Sequence, residues 1–163
     1  MGYGVLMNKS EAANLNSGKI DWTTPRDLFD GLDDIFHFTL DPCSTHENAL
    51  CENHFTIAEN GLIQDWSGNV VFMNPPYNRE TGIWLRKAYE ESQKGATVVC
   101  LIPARPDANY WHDLIFPYAA GIWFIKGRLH FSNSKDHAAF PSALILFHKA
   151  SQGCYKHLSF VKE

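Results

Sequence analysis

The sequence has few of the features that mark membrane, secreted or disulfide-stabilised proteins. No apolar run approaches the roughly 20 residues of a membrane-spanning helix. The N-terminal segment lacks a basic region followed by a long apolar run, so we expect neither a secretory signal nor membrane contact. Only four of the 163 residues are cysteines, and a chain of this length can bury a core without disulfide bonds. We therefore expect reduced thiols and a cytoplasmic protein.

A basic excess is also lacking, because the formal net charge is −4. This balance argues against a broad nucleic-acid-binding surface like that of a histone. It still permits one positive face, since several cations fall from residue 79 onwards: Arg79, Arg86, Lys87, Arg105, Lys126, Arg128 and Lys135.

No repeat, low-complexity tract or internal linker divides the chain. Apolar residues make up 45% and charged residues 20% of it, as in ordinary globular domains. We expect a flexible polar arm over residues 1–20 and a single domain over residues 21–163.

Apolar strand patterns alternate with helical patterns along that domain. Strands are predicted in HFTLDP, NVVFMN, ATVVCLIP, GIWFIKGRLHF and SALILFHK. Helices are predicted in TTPRDLFDGLDDIF, TGIWLRKAYEESQKG and DANYWHDLIF, with Thr24, Thr81 and Asp107 as caps, Pro25 at a first helical position and Pro117 as a stop. This order predicts an α/β fold with a mostly parallel sheet and an antiparallel pair at one edge.

Three loops follow predicted strands. They contain Asp41-Pro42, Asn74-Pro75-Pro76-Tyr77 and Pro103-Ala104-Arg105. Because ligands of open α/β sheets bind beyond the carboxyl ends of the strands, we expect these loops to converge on one cleft.

The Asn-Pro-Pro-Tyr stretch is the most informative of the three. The side-chain oxygen of Asn74 and the carbonyl of Pro75 can accept from the N–H bonds of a planar amine and stabilise the charge that develops when the amine is alkylated. The prolines fix the backbone, and Tyr77 offers a face on which a base can stack. Taken alone, an Asn-Pro-Pro sequence after a strand is equally compatible with a sharp turn.

The chain resembles the small phage-type (Dam-like) DNA N6-adenine methyltransferases. The resemblance rests on DWTTPRDLFD, FTLDPCSTHENALC, NGLIQDW, NPPYNR, LIPAR, KGRLHF and FPSALILF, and it spans roughly residues 21–148. It implies a Rossmann-like fold, S-adenosylmethionine as cofactor, DNA as partner and flipping of the target adenine towards Asn74, Pro75, Pro76 and Tyr77. It also implies one catalytic domain without a large separate target-recognition domain, and a location in the bacterial host cytoplasm if a phage encodes the protein.

The same resemblance assigns cofactor contacts. Thr23, Thr24 and Pro25 match the motif that meets the methionine end of the cofactor, while Asp41 and Pro42 match the motif after the first strand. Asn60 stands where many relatives carry an acid, and no Gly-x-Gly follows Asp41, so the chain departs from the wider pattern at both points.

Arg79, Arg105 and Arg128 each follow an apolar strand, so we predict that they contact DNA phosphates. For Arg128, a structural role in anchoring its loop is an equal alternative. The short loop 132–141 is the best candidate for touching neighbouring bases, which predicts a short recognition site. Oligomeric state does not follow from the sequence.

Several alternatives remain open at this stage. The acceptor of the methyl group is RNA adenine or protein glutamine in other proteins with this motif, and a catalytically inactive nucleic-acid-binding module is a third possibility. Cys43, His46, Cys51 and His54 have spacing compatible with zinc, but Cys43 lies in the expected cofactor loop, so we expect no metal.

Overall fold

The computed structural model describes residues 22–132, 134 and 136–149. The predicted arm at residues 1–20 lies outside this range. Within it, the helices are α1 (Arg26–Phe36), α2 (Thr81–Gln93) and α3 (Phe116–Tyr118), together with a 3-10 turn at Gly61–Ile63 and a π-helical turn at Trp111–Ile115. The strands are β1 (Val70–Met73), β2 (Thr97–Pro103), β3 (Gly121–Phe124) and β4 (Ser142–Phe147). No helix in this part of the chain is long and apolar enough to cross a membrane.

The four strands form one mixed sheet in the order β1-β2-β4-β3. β1 and β2 are parallel, whereas β4 is antiparallel to both β2 and β3. The predicted antiparallel pair at one end of the sheet is therefore confirmed. The predicted antiparallel edge strand is wrong, because the reversed strand is β4, which lies between β2 and β3.

The first predicted strand is reduced to two isolated bridges. Leu40 pairs with Val71 in parallel, and Asp41 pairs with His54. The Leu40 bridge still sets residues 39–41 beside β1, so Asp41 and Asn74 leave the sheet at the same edge.

The sheet is covered on both faces, as alternation along β2 requires. Val98, Cys100 and Ile102 pack with α2 and the Trp111–Ile115 turn. Val99 and Leu101 pack with Phe29 and Leu32 of α1. Burial of every β2 residue after Thr97 explains its continuous apolar sequence.

The predicted helix signals are wrong at Thr24, Pro25, Thr81, Asp107 and Pro117; before the Trp111–Ile115 turn, for example, the N-cap is Tyr110 and not Asp107. Pro25, with no side-chain capping bond, occupies the N-cap of α1, and Glu80 occupies that of α2. Thr24 and Thr81 are instead drawn into tertiary hydrogen bonds described below. Pro117 lies within α3 and does not end the preceding helix.

Candidate active site

A cavity of about 400 Å³ opens where residues 41–45 and 74–76 leave the sheet. Its size is typical of a small-molecule site. Most of the sequence-predicted residues border it: Thr23, Thr24, Asp41, Pro42, Asn60, Asn74, Pro75 and Pro76. Pro25, Tyr77 and the loop 103–105 do not line it, so two of the three expected loops meet there.

The Asn74 side chain is held by the segment that precedes α1. Its amide nitrogen donates to the carbonyl of Trp22 at 2.5 Å and to the hydroxyl of Thr24 at 2.9 Å. An amide nitrogen carries two N–H bonds, so both are engaged. The side-chain oxygen, Oδ1, is buried and has no hydrogen-bond partner in the part of the chain that the structure describes. Asn74 therefore offers only an acceptor to a ligand.

The backbone after Asn74 provides a second free acceptor. The Pro76 carbonyl accepts from the backbone N–H of Asn78 at 3.0 Å and from the hydroxyl of Thr81 at 2.9 Å. The Pro75 carbonyl accepts from no group among the residues that the structure describes. Thr81 thus anchors the Pro76 peptide to the start of α2, while Pro75 keeps a carbonyl available beside the cavity.

Tyr77 lies outside the cavity, in a cluster of aromatic rings. Its ring centroid is 5.5 Å from that of Phe140 and 6.2 Å from that of Phe131, and Trp22 packs on the same two phenylalanines. Its hydroxyl donates to the Leu101 carbonyl at 3.4 Å. Burial raises the pKa of Tyr77 well above its ordinary value, so the phenol is neutral.

Asp41 organises the loop on the other side of the cavity. The side chain is 5% exposed, and its two carboxylate oxygens accept from the backbone N–H groups of Cys43 at 3.4 Å and Leu50 at 3.2 Å. Burial raises the pKa of Asp41, and these N–H groups act against that rise. The Ser44 hydroxyl also lies close enough to lower the pKa, although it makes no hydrogen bond of ordinary geometry.

Asn60 and Gly61 form the third wall. Asn60 has a positive φ of 54° and its side chain accepts from the Leu62 N–H at 3.3 Å. Gly61 lies so close to Pro42 that a Cβ on it would be 2.0 Å from the Pro42 carbonyl oxygen. The turn around residue 60 is therefore in direct contact with the loop that follows Asp41.

Comparison with known proteins shows the family of this chain. Residues 12–163 match the model of the DNA N-6-adenine-methyltransferase (Dam) family. The chain belongs to this family.

Two relatives of known sequence share parts of the chain. The DNA N-6-adenine-methyltransferase of Escherichia phage T1 is 31% identical over 110 residues, which are 66% of this chain and 45% of that protein. The putative methyltransferase YfdM of Escherichia coli K12 is 36% identical over 80 residues, 45% of this chain and 88% of that protein. The chain thus spans less than half the length of the phage T1 relative.

One solved structure is also similar. It is a modification subunit of a putative type I restriction enzyme from Vibrio vulnificus YJ016, with 13% identity and a TM-score of 0.49, covering 95% of this chain and 50% of that one.

Several residues that line the cavity were not predicted from the sequence. They include Trp22, Glu80 and Trp84, as well as Thr45, Asn48, Leu50, Thr56, Ile57 and Leu62. Residues 43–67 carry no helical or strand periodicity, so the sequence offered no signal for those between 45 and 62. Trp84 lies one turn into α2, and its ring would be 3.3 Å from a Cβ on Gly61.

The three predicted DNA-binding arginines are exposed and lie outside the cavity. Arg105 places its guanidinium 5.9 Å from the ring centroid of Phe140. None of Arg79, Arg105 and Arg128 forms an ion pair with a described carboxylate. Their role in binding DNA stays a prediction.

The loop 132–141 reaches the site through its ends. The Ser132 N–H donates to the Thr23 carbonyl at 2.9 Å, and the Pro141 carbonyl accepts from Ala104 at 2.8 Å. Phe140 belongs to the aromatic cluster around Tyr77. The two ends of this loop therefore lie beside Thr23 and beside the aromatic cluster of Tyr77.

The four residues whose spacing is compatible with zinc, Cys43, His46, Cys51 and His54, do not come together. His46 and His54 contact each other, Nδ1 to Nε2, at 2.8 Å, whereas Cys43 borders the cavity. Cys51 is buried with Phe29 and Leu32. Among the described residues, no group of three or more His, Cys, Asp or Glu side chains could hold a metal ion.

Proposed function

We propose that this protein transfers a methyl group from S-adenosylmethionine to N6 of adenine in DNA, on a Rossmann-like sheet. The observation that carries the proposal is the buried, unpartnered Oδ1 of Asn74. A buried acceptor without a donor destabilises the free protein. It becomes useful when a ligand supplies the missing N–H, and membership of the family identifies adenine as the natural donor.

The chemistry follows from two acceptors with rigid supports. The N6 amine of adenine carries two N–H bonds, and Asn74 Oδ1 and the Pro75 carbonyl are two neighbouring acceptors at the cavity that accept from no described group. As N6 forms a bond to the methyl carbon, positive charge develops on the nitrogen and both acceptors stabilise it. Because neither acceptor must break another hydrogen bond first, little reorganisation is needed. N6 then loses one proton to water.

The cavity suits the proposed cofactor. A volume of about 400 Å³ lies within the usual range for such ligands, and its lining combines apolar and polar groups: Trp84, Ile57, Ser44, Asp41 and Glu80. When bound, S-adenosylmethionine supplies the reactive methyl group. Asp41 holds the Cys43–Leu50 loop in place, and Thr23, Pro42 and Asn60 form the adjoining walls.

The target base must leave the DNA helix to reach Asn74, because N6 is inaccessible within the stacked duplex. In the proposal, Tyr77 and the aromatic rings near it receive the base, and Arg79, Arg105 and Arg128 bind the backbone. Residues 21–163 act as one catalytic domain without a large target-recognition domain. The short loop 132–141 can then read only a few neighbouring base pairs.

Transfer of a labelled methyl group tests the proposal. The protein is incubated with methyl-labelled S-adenosylmethionine and, separately, with DNA, RNA and a protein mixture. We expect label in DNA, at N6 of adenine. Label in RNA or protein alone would instead support the alternative acceptors, and no label in any acceptor would support a binding module.

A further inference from the structure

Thr24 contacts the reaction centre in a way that neither helix capping nor cofactor binding explains. Its side chain makes no capping bond to α1. Instead its hydroxyl accepts from the Asn74 amide nitrogen at 2.9 Å, next to the 2.5 Å bond from the same nitrogen to the Trp22 carbonyl. The residue is 4% exposed, so water does not compete for that bond.

The direction of these bonds decides what Asn74 can do. If the amide turned over, Oδ1 would face the Trp22 carbonyl oxygen, and two acceptors would oppose each other. The N–H groups would then face the cavity side and meet the N–H groups of the target amine. The Trp22 carbonyl, which can only accept, therefore selects the amide orientation that leaves Oδ1 free, and the Thr24 hydroxyl accepts the second N–H and holds the amide in that orientation.

Thr24 is itself held from two sides. The Ser132 hydroxyl donates to the Thr24 carbonyl at 3.3 Å, and the Ser132 N–H donates to the Thr23 carbonyl at 2.9 Å. On the other side the chain enters α1, where Phe29 donates to the Pro25 carbonyl at 3.1 Å. The hydroxyl of Thr24 is thus fixed by a helix and by the loop that begins at Ser132.

We propose that Thr24 is a positioning residue that, with the Trp22 carbonyl, orients the Asn74 amide so that Oδ1 faces the target amine. The inference rests on the proposed function for its catalytic meaning, but not for its geometry. It is an alternative to the expectation that Thr24 contacts the cofactor, which stays a prediction.

Isosteric variants test it. Thr24→Val removes the acceptor and keeps the shape, Thr24→Ser keeps the hydroxyl, and Thr97→Val is the matched control at the far end of β2. We expect Thr24→Val to lower kcat by about ten- to a hundredfold, as for a reacting group that is misplaced slightly. Thr24→Ser should keep most of the wild-type rate. Affinity for S-adenosylhomocysteine should stay within about twofold in all three variants, because the proposed role of Thr24 is to orient Asn74 and not to bind the cofactor.

A double-mutant cycle separates action through Asn74 from any other effect. In an Asn74→Ala background, Thr24→Val should cause no further loss of rate, because the group it orients is gone. A loss of equal size in both backgrounds would overturn the proposal. So would a weaker affinity for S-adenosylhomocysteine with kcat unchanged, which would assign Thr24 to the cofactor.

A spectroscopic measurement decides the geometry even if the protein methylates nothing. The side-chain NH₂ signals of Asn74 are assigned in ¹⁵N-labelled protein by their absence from the Asn74→Ala variant. Thr24→Val should move one of the two proton signals, whereas Thr24→Ser and Thr97→Val should leave both near their wild-type positions. Unmoved signals in Thr24→Val would refute the bond. Absence of methyl transfer by the wild type, with the signals moved as expected, would refute only the proposed function.

Discussion

Replacing Gly61 with alanine tests whether the two loops on either side of the cavity must remain in contact. The added Cβ would lie 2.0 Å from the Pro42 carbonyl oxygen and 3.3 Å from the Trp84 ring. The first contact is with backbone, which cannot rotate away as a side chain can. The Gly61 carbonyl also accepts from the Trp66 indole N–H at 3.0 Å, so the turn is held from behind.

The size of the effect can be estimated from these distances. The methyl group must move from 2.0 Å to at least 3.0 Å from the Pro42 oxygen, which separates the Asn60 turn from the loop that follows Asp41. Overpacking of this kind costs about 1–3 kcal/mol. Because both loops border the cavity, we also expect affinity for S-adenosylhomocysteine to fall roughly tenfold, the equivalent of ~1.4 kcal/mol.

Gly31 is the matched control within the same chain. It lies in α1, and a Cβ there meets no atom within 4 Å. Gly31→Ala should therefore be neutral or stabilising, by about 0.5–1 kcal/mol in a helix. Urea unfolding measures stability and isothermal calorimetry measures binding. If the two alanine variants had equal stability and equal affinity, our description of the cavity wall would be wrong.

Three further predictions concern stability, base binding and DNA binding. Glu91 is fully buried and its carboxylate bonds to Lys87, Lys94 and the Trp66 N–H at 2.6–2.8 Å. Burial acts to raise the pKa of Glu91, but these bonds hold it below the ordinary 4.5. The stabilisation that the ionised carboxylate gives the folded protein is therefore complete above about pH 4.5, and it is lost as the pH falls through the lower pKa of the folded state. Glu91→Gln should lower the free energy of unfolding by roughly 3 kcal/mol at pH 7. In urea titrations at decreasing pH, the free energy of unfolding of the variant should fall less steeply than that of the wild type, and equal slopes would refute this. Tyr77→Ala should lower the single-turnover rate at least tenfold, as expected for loss of ~1–3 kcal/mol of stacking, while Tyr118→Ala, an exposed tyrosine outside the site, should not. Arg105→Gln should flatten the slope of log affinity for DNA against log salt by ~0.9, and a slope equal to that of Arg86→Gln would exclude a phosphate contact.

The parts of the fold that were predicted correctly are those with local signals. β1, β2 and β4 are continuous apolar runs, and α1 and α2 have apolar stripes at helical spacing. The order of loops along the chain then placed Asp41 and Asn74 at one edge of the sheet. This placement follows from the order of the strands along the chain, because ligand-binding loops of open α/β sheets lie beyond the carboxyl ends of the strands.

The parts that were missed depend on tertiary contacts. Thr24 looked like a helix cap because threonine before Pro25 commonly is one, but its hydroxyl bonds to Asn74, which is 50 positions away. Trp111–Ile115 adopts a π-helical turn, which no periodicity in the sequence indicated. The strand expected to run on from β3 ends at Phe124, and a positive φ of 79° at Gly127 turns the chain.

In the candidate site, too, the features with a local signal could be predicted and those that depend on tertiary contacts could not. The Asn-Pro-Pro-Tyr motif predicted Asn74 and Pro75 as acceptors, because the chemistry lies within four consecutive residues, and their catalytic role stays a prediction. The walls made by residues 45–62 could not be predicted, since their positions follow from the bonds of Asp41 to Cys43 and Leu50 and from the contact of Gly61 with Pro42. Side chains such as Trp22 acquire a place in the site only when the chain folds back on itself.

The central claim is that Asn74 Oδ1 accepts from the amine that is methylated. The most direct measurement is mass spectrometry of nucleosides from DNA treated with S-adenosylmethionine and either the wild type, Asn74→Ala or Asn69→Ala. Asn69 stands just before β1 and Asn74 just after it, so the control changes the same residue type at the other end of one strand. We predict N6-methyldeoxyadenosine with the wild type and with Asn69→Ala, and a loss of at least a hundredfold with Asn74→Ala. Equal yields of N6-methyldeoxyadenosine from all three proteins would contradict the account.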